Sequence, residues 1–179
     1  IVSDDGLIWI AGNDKIAVYE QNGTLVKQFT NGLTGCTDLA LDSNGNVYAA
    51  VNGNLTKIDA NGSHIWSKSF HSIKALEIKG SNIYITGNGG YNLKQGFQIL
   101  NLEGNVTKSV NNSTLGGTVF DWENASLRFI NEEIFIIGNA RYGIQSFDIN
   151  GTRIRGLQGG NNKKVATNKE GLYFIVGGG

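Results

Sequence analysis

The chain has 179 residues, fifteen basic and fifteen acidic side chains, and 26 Gly and 22 Asn beside no Pro and no Met. Balanced charge, with Arg only at 128, 141, 153 and 155, leaves no electrostatic footprint for nucleic acid. No apolar run approaches the roughly 20 residues of a spanning helix, and the single Cys36 allows neither an internal disulfide nor a cysteine zinc cluster.

In chain order, the first element is a clipped strand at 1–3, followed by Leu7-Ile8-Trp9-Ile10-Ala11-Gly12, an aromatic between aliphatics that ends at glycine. An alternating run then reaches Asn-Gly at Ile16-Ala17-Val18-Tyr19-Glu20-Gln21-Asn22-Gly23, and a further strand occupies 25–29. The same order returns as 38–41, 47–51, 55–58 and 65–70, then 75–78, 83–86, 99–102 and 106–110, then 127–130, 134–137, 144–149 and 153–157. A last pair falls at 164–167 and 172–176. The turn glycines Gly23, Gly62, Gly104 and Gly151 lie 39, 42 and 47 residues apart. Four strands per repeat of about 40 residues, joined by Gly/Asn hairpin turns, are the signature of β-propeller blades. Such a sheet is apolar on both faces and buries them only by stacking against neighbouring blades.

The expected fold is therefore all-β, a propeller of four-stranded antiparallel blades. About four and a half blades lie in one domain or segment: 1–32, 33–72, 73–118, 119–160 and a half-blade 161–179. Lettered a to d from the axis outward, the half-blade holds strands a and b. An open strand edge invites pairing. Either the chain is a piece of a larger ring, or the half-blade pairs with another copy and builds a filament. The absence of a basic-then-apolar leader before Ile1 fits a chain already processed or cut from something longer.

Within the second and third repeats stand Asp42-Ser43-Asn44-Gly45-Asn46-Val47-Tyr48, Lys57-Ile58-Asp59-Ala60-Asn61-Gly62 and Ile65-Trp66-Ser67-Lys68-Ser69-Phe70. This register is similar to secreted bacterial and archaeal propeller repeats of the pyrroloquinoline-quinone-like, NHL and SBBP types. The resemblance implies the fold and an extracytoplasmic binding or scaffolding role more than any activity. The fourth repeat departs from it by an insertion at 111–123, which also carries Trp122. Ser3-Asp4-Asp5-Gly6-Leu7-Ile8-Trp9 resembles the aspartate box of sialidase propellers, with one residue missing and no threonine.

Asn-x-Ser/Thr sequons occur at Asn22, Asn54, Asn61, Asn105, Asn111, Asn112, Asn124 and Asn150, where random ordering of this composition gives about three. Hairpin chemistry explains Asn22, Asn61 and Asn150 by itself; the other five point to N-glycosylation. Catalytic constellations are not evident. His64 and His71 are seven residues apart and form no metal-ligand motif. Cys36 stands in a turn before strand a with no histidine to activate it. The neighbours Asp4 and Asp5, and Glu132 and Glu133, point in opposite directions along extended backbone and form no acid/base pair. Gly87-Asn88-Gly89-Gly90 precedes no helix and so cradles no phosphate. The turn Asp42-Ser43-Asn44-Gly45 offers oxygens for calcium, but six to eight ligands are not visible.

The sequence thus reads as a non-enzymatic extracellular glycoprotein, a cell-surface scaffold or adhesion module. Its expected partners are other copies or surface proteins and glycans, with no membrane insertion, no metal and no cofactor beyond covalent N-glycans. The competing reading is a fragment of an extracellular propeller enzyme whose catalytic residues lie on blades outside this stretch.

Overall fold

The computed structural model describes residues 1–12, 14–30, 33–70, 72–87, 96–111, 126–137, 144–157, 162–168 and 171–176. These form seventeen strands in five antiparallel sheets. The first sheet holds β1 (Ile8–Ala11), β2 (Ile16–Tyr19) and β3 (Leu25–Phe29), and an isolated bridge from Val2 to Ile8 supplies the clipped inner strand. The second comprises β4 (Cys36–Leu41), β5 (Val47–Val51), β6 (Asn54–Ile58) and β7 (His64–Ser69), and the third β8 (Ile73–Lys79), β9 (Asn82–Gly87), β10 (Gly96–Asn101) and β11 (Val106–Asn111). The fourth holds β12 (Ser126–Ile130), β13 (Glu133–Ile137), β14 (Ile144–Asp148) and β15 (Arg153–Leu157), and the last pairs β16 (Asn162–Asn168) with β17 (Gly171–Val176). Within every sheet the order follows the sequence, and β1, β4, β8 and β12 meet in succession along the inside. These are four blades and a half.

Alternation explains why the blades stack. Along β5, Val47, Ala49 and Val51 join Trp9, Ile16 and Val18 of the first blade, whereas Tyr48 and Ala50 join Leu76, Ile83 and Ile85 of the third. Opposite faces of one strand thus enter two different cores. The next joint buries Tyr84, Phe97 and Ile99 with Leu127, Ile134 and Phe147, and Phe97 meets Phe147 edge to face at 4.7 Å.

One turn recurs six times among the described residues. In the outer hairpins, residue 20, 59, 101 or 148 donates its N–H to the carbonyl four residues on and accepts from the glycine three residues on, at 2.9–3.0 Å. The stretches 3–7 and 42–46 make the same turn between inner strands. Each glycine has φ between 74° and 89°, so a left-handed residue closes a three-residue loop. Asp59 Oδ1 accepts from the backbone of Asn61 and Ser63, and Asp148 Oδ1 from Asn150 and Thr152, which holds the turn from within. Just beyond each outer turn the register slips by one residue, opposite Val18, Lys57, Ile99 and Ser146.

The aromatics Trp9, Tyr48, Tyr84 and Phe135 pair across the sheet with those same four residues, so they occupy one repeated position. Tyr173 pairs with Ala166 as Tyr48 does with Ala40, so it shares that register. Two sequence expectations change. Cys36 is the first residue of β4 instead of a turn residue, because its strand continues back past the bulge at Thr37 to pair with Val51. Gly87 closes β9 itself, while 88–90, His71, most of the 111–123 insertion with Trp122, Asn112 and Asn124 lie outside the described residues.

Candidate functional site

The turn-bearing end of the molecule carries the repeated chemistry. Pairs such as Ile8 with Tyr19 and Glu133 with Asp148 put the a–b and c–d turns at one end of each sheet. Asn22, Asn61, Asn105 and Asn150 all sit exposed in the c–d turns at that end. Asn54 pairs with Val51 and Ser69, and Asn111 with Gly96, which places both at the opposite end. Asn22 Nδ2 donates to Glu20 at 3.0 Å, and Asn105 Oδ1 accepts from Lys68 Nζ at 2.7 Å. Asn22 Oδ1 also accepts from Thr24 N–H at 2.8 Å, and both side chains lie at the surface.

The same turns lock neighbouring blades together. Lys27 Nζ lies 5.0 Å from the Trp9 ring centre and donates to Ala60 O of the second blade at 2.8 Å. Lys57 Nζ donates to Leu102 O of the third at 3.4 Å, and Tyr48 Oη shares its one proton between that carbonyl at 3.3 Å and Asp42 Oδ2 at 3.2 Å. Tyr84 Oη donates to Ile149 O of the fourth at 3.0 Å. In each case the acceptor is the carbonyl of the turn's second residue. Burial raises the hydroxyl pKa of both tyrosines, which keeps them protonated donors.

A third feature lies on the innermost strands and was not singled out from the sequence. Asp38 on β4 accepts from the backbone of Leu39 at 2.9 Å and, across the joint, from Leu76 at 2.8 Å. Glu77 on β8 pairs with Arg128 on β12 at 3.0 Å. Burial pushes the Glu77 carboxyl up to about 6, with Arg128 opposing and Asp38 assisting the shift. Burial also raises Asp38, against its own hydrogen bonds. Glu77 borders a hollow of about 790 Å³ at the turn end, with Val2, Trp9, Leu39, Asp42 and Ile78 among its lining residues. The usable signal was a charged residue flanked by apolar ones in strand a: Leu76-Glu77-Ile78 and Leu127-Arg128-Phe129. Register confirms the match, since Glu77 faces Tyr84 and Arg128 faces Phe135.

The other candidates resolve locally. Asp42 is buried and its carboxylate is occupied by donors: Oδ1 accepts from Asn44 and Asn46 N–H, and Oδ2 from Asn46 Nδ2 and Tyr48 Oη. It is a turn and interface anchor. Among the described residues no group of three metal-ligating side chains converges. Asp5 accepts from Ser3 Oγ and Leu7 N–H in its own turn, while Glu132 pairs with Lys79 and Glu133 with Arg155 on different strands. His64 Nε2 is within 2.9 Å of Ser67 Oγ on the surface. Burial pushes the Cys36 thiol up to about 11.

No family model matches the sequence, and no curated protein matches it. Solved structures do. Streptogramin B lyase is 14% identical with a TM-score of 0.71, over 97% of this chain and 60% of its own. The WD40 repeats of RRP9 give 13% and 0.71, over 92% of this chain and 52% of their own. The fold is a β-propeller. A protein of unknown function from Bacteroides caccae is 14% identical with a TM-score of 0.61, over 92% and 62%. PorZ of Porphyromonas gingivalis, a bacterial surface component of the type-IX secretion system, is 13% identical with a TM-score of 0.68, over 97% and 22%. The propeller chain therefore spans about three fifths of the first of these in length.

Proposed function

We propose that this propeller is a non-enzymatic extracellular glycoprotein, a cell-surface scaffold or adhesion module whose turn end carries N-linked sugar. The observation that carries the reading is the placement of Asn22, Asn61, Asn105 and Asn150, all exposed on equivalent turns at one end. At Asn22, Asn61 and Asn150 sugar would leave the joints intact, because the turn contacts there run through backbone carbonyls and glycines, whereas the Asn105 amide also takes Lys68 of the second blade on its Oδ1. Sugar at Asn54 and Asn111 would cover the opposite end as well. Among the solved structures of the same fold, PorZ is a surface component, which supports the location by analogy alone. The test is labelling of intact cells with an impermeant reagent: the protein labels before lysis if the reading holds, and only after lysis if it does not.

A second reading is a propeller enzyme whose catalytic groups extend onto further blades. It draws on Glu77, titrating near 6 at the rim of the inner hollow and held by Arg128. The complete reading frame separates the two: further polar repeats of this kind favour the scaffold, and a new cluster of His, Arg or Asp in loops favours the enzyme.

A further inference from the structure

In each of the first four blades the outer strand carries one residue more than its partner. Lys27 faces Val18 and Leu25 faces Tyr19, so Val26 is passed over, and Ile65, Thr107 and Ile154 are passed over in the same way. A bulge residue of this kind takes no part in the pairing that sets the two packed faces of a sheet, and all four side chains are exposed. Three of them, Val26, Ile65 and Ile154, are large aliphatics standing half out in solvent. The fourth is polar: Thr107 Oγ1 donates to Ile99 O at 3.0 Å.

The turns divide in the same way. Val26, Ile65 and Ile154 each lie four residues beyond a sequon asparagine in the third position of the turn, Asn22, Asn61 and Asn150 respectively. In the third blade that turn position is Glu103. Its sequon, Asn105, comes two residues later, takes Lys68 on its Oδ1, and has Ser109 four residues on, whose Oγ accepts from Gln98. Strand propensity admits threonine as readily as isoleucine at an exposed outer position, so it is the apolarity that follows the asparagine. A single exposed aliphatic needs no explanation; one repeated register position that turns apolar only behind this asparagine does.

The backbone spans at most about 3.6 Å per residue, so each aliphatic lies within about 14 Å of its asparagine. An asparagine side chain bearing its first two sugar rings covers that distance. The ring hydrogens of a pyranose present an apolar face, which leaves water on meeting a branched aliphatic. We infer that Val26, Ile65 and Ile154 are seats for the first sugars of the N-glycans on Asn22, Asn61 and Asn150, so that each sugar clamps the outer hairpin of its own blade. The inference rests on the proposed glycosylation of these turns and adds to it a protein surface for the sugar and a stabilising effect.

The chain is secreted from a eukaryotic host, and occupancy of each asparagine is read by glycopeptide mass spectrometry. Parent, Asn61→Gln, Ile65→Thr and the double variant are melted, and the same four are melted after production without sugar in bacterial cytosol. Ile65 is exposed and threonine is the third blade's own residue there, so the variants should fold. In the glycosylated series, Asn61→Gln should lower the melting temperature of the parent by about 2–4 °C, the shift for about 40 Å² of apolar surface at this chain length. It should leave Ile65→Thr nearly unmoved, and the sugar-free series should show no such coupling. Asn105→Gln should shift glycosylated and sugar-free chains equally. Nuclear Overhauser contacts between the Ile65 methyl groups and sugar ring protons should appear in the glycosylated parent. A loss that Ile65→Thr does not diminish, the same coupling without sugar, or absence of those contacts overturns the inference and leaves glycosylation standing. Bare asparagine at Asn22, Asn61 and Asn150 in the secreted chain overturns the inference together with the reading beneath it.

Discussion

Gly23 and Gly62 offer a matched pair that isolates the turn-in-socket joint. Both have φ +89° in the same turn, so alanine at either costs about 1–2 kcal/mol for a left-handed conformation. Their surroundings differ completely. Nothing lies within 4 Å of a Cβ on Gly23, whereas a Cβ on Gly62 would sit 2.1 Å from Phe29 Cδ1 and 2.6 Å from Cε1. Phe29 cannot simply swing aside, because its ring is 8% exposed and stacks on Trp9 with centres 6.1 Å apart. Overpacking of this kind adds about 1–3 kcal/mol. Gly62→Ala should therefore lose about 2–5 kcal/mol in total and Gly23→Ala about 1–2 kcal/mol. Urea unfolding followed by tryptophan fluorescence reads the difference, since Trp9 lies within the joint. Equal losses in the two variants, with equal denaturant slopes, would refute the joint as described.

Tyr84→Phe removes the donor to Ile149 O and should cost about 1–3 kcal/mol by leaving a partly buried carbonyl unpaired; a change below the error of a urea titration contradicts the hydrogen bond. Glu77 titrates at about 6 in the folded chain against an ordinary 4.5, so between these values the native state binds more protons than the unfolded one. Stability should fall as pH rises through that window, and Glu77→Gln should flatten this part of the curve in thermal melts; parallel curves for parent and variant contradict the shift. Cys36, with its thiol held at about 11, should react slowly with a disulfide reagent at pH 8 and rapidly after denaturation, and equal rates would place the thiol in solvent.

The blades were legible because their determinants are local. An Asn-Gly or Asp-x-Asn-Gly turn needs a residue with φ above zero, and alternating apolar residues on either side set the strand period, so strands such as β3 and β15 fall where the sequence puts them. Cys36 was misplaced because the bulge at Thr37 lets β4 run back beyond Asp38, and a bulge leaves no pattern in one strand alone. The turn at 42–46 offers oxygens for calcium in sequence but too few visible ligands, and in the structure Tyr48 and Asn46 occupy the Asp42 carboxylate. Asp38, Glu77 and Arg128 come from three repeats and meet only through blade stacking. Sequence spacing of 39 and 51 residues says nothing about that encounter until the register is known.

The functional reading rests on sugar at exposed turns, and site-resolved glycopeptide mass spectrometry of protein from its native source tests it most directly. The account predicts glycan at Asn22, Asn61, Asn105 and Asn150, the four exposed sequon asparagines described at the turn end, with Asn54, Asn111, Asn112 and Asn124 as further acceptors. Unmodified asparagine at all eight positions would contradict it.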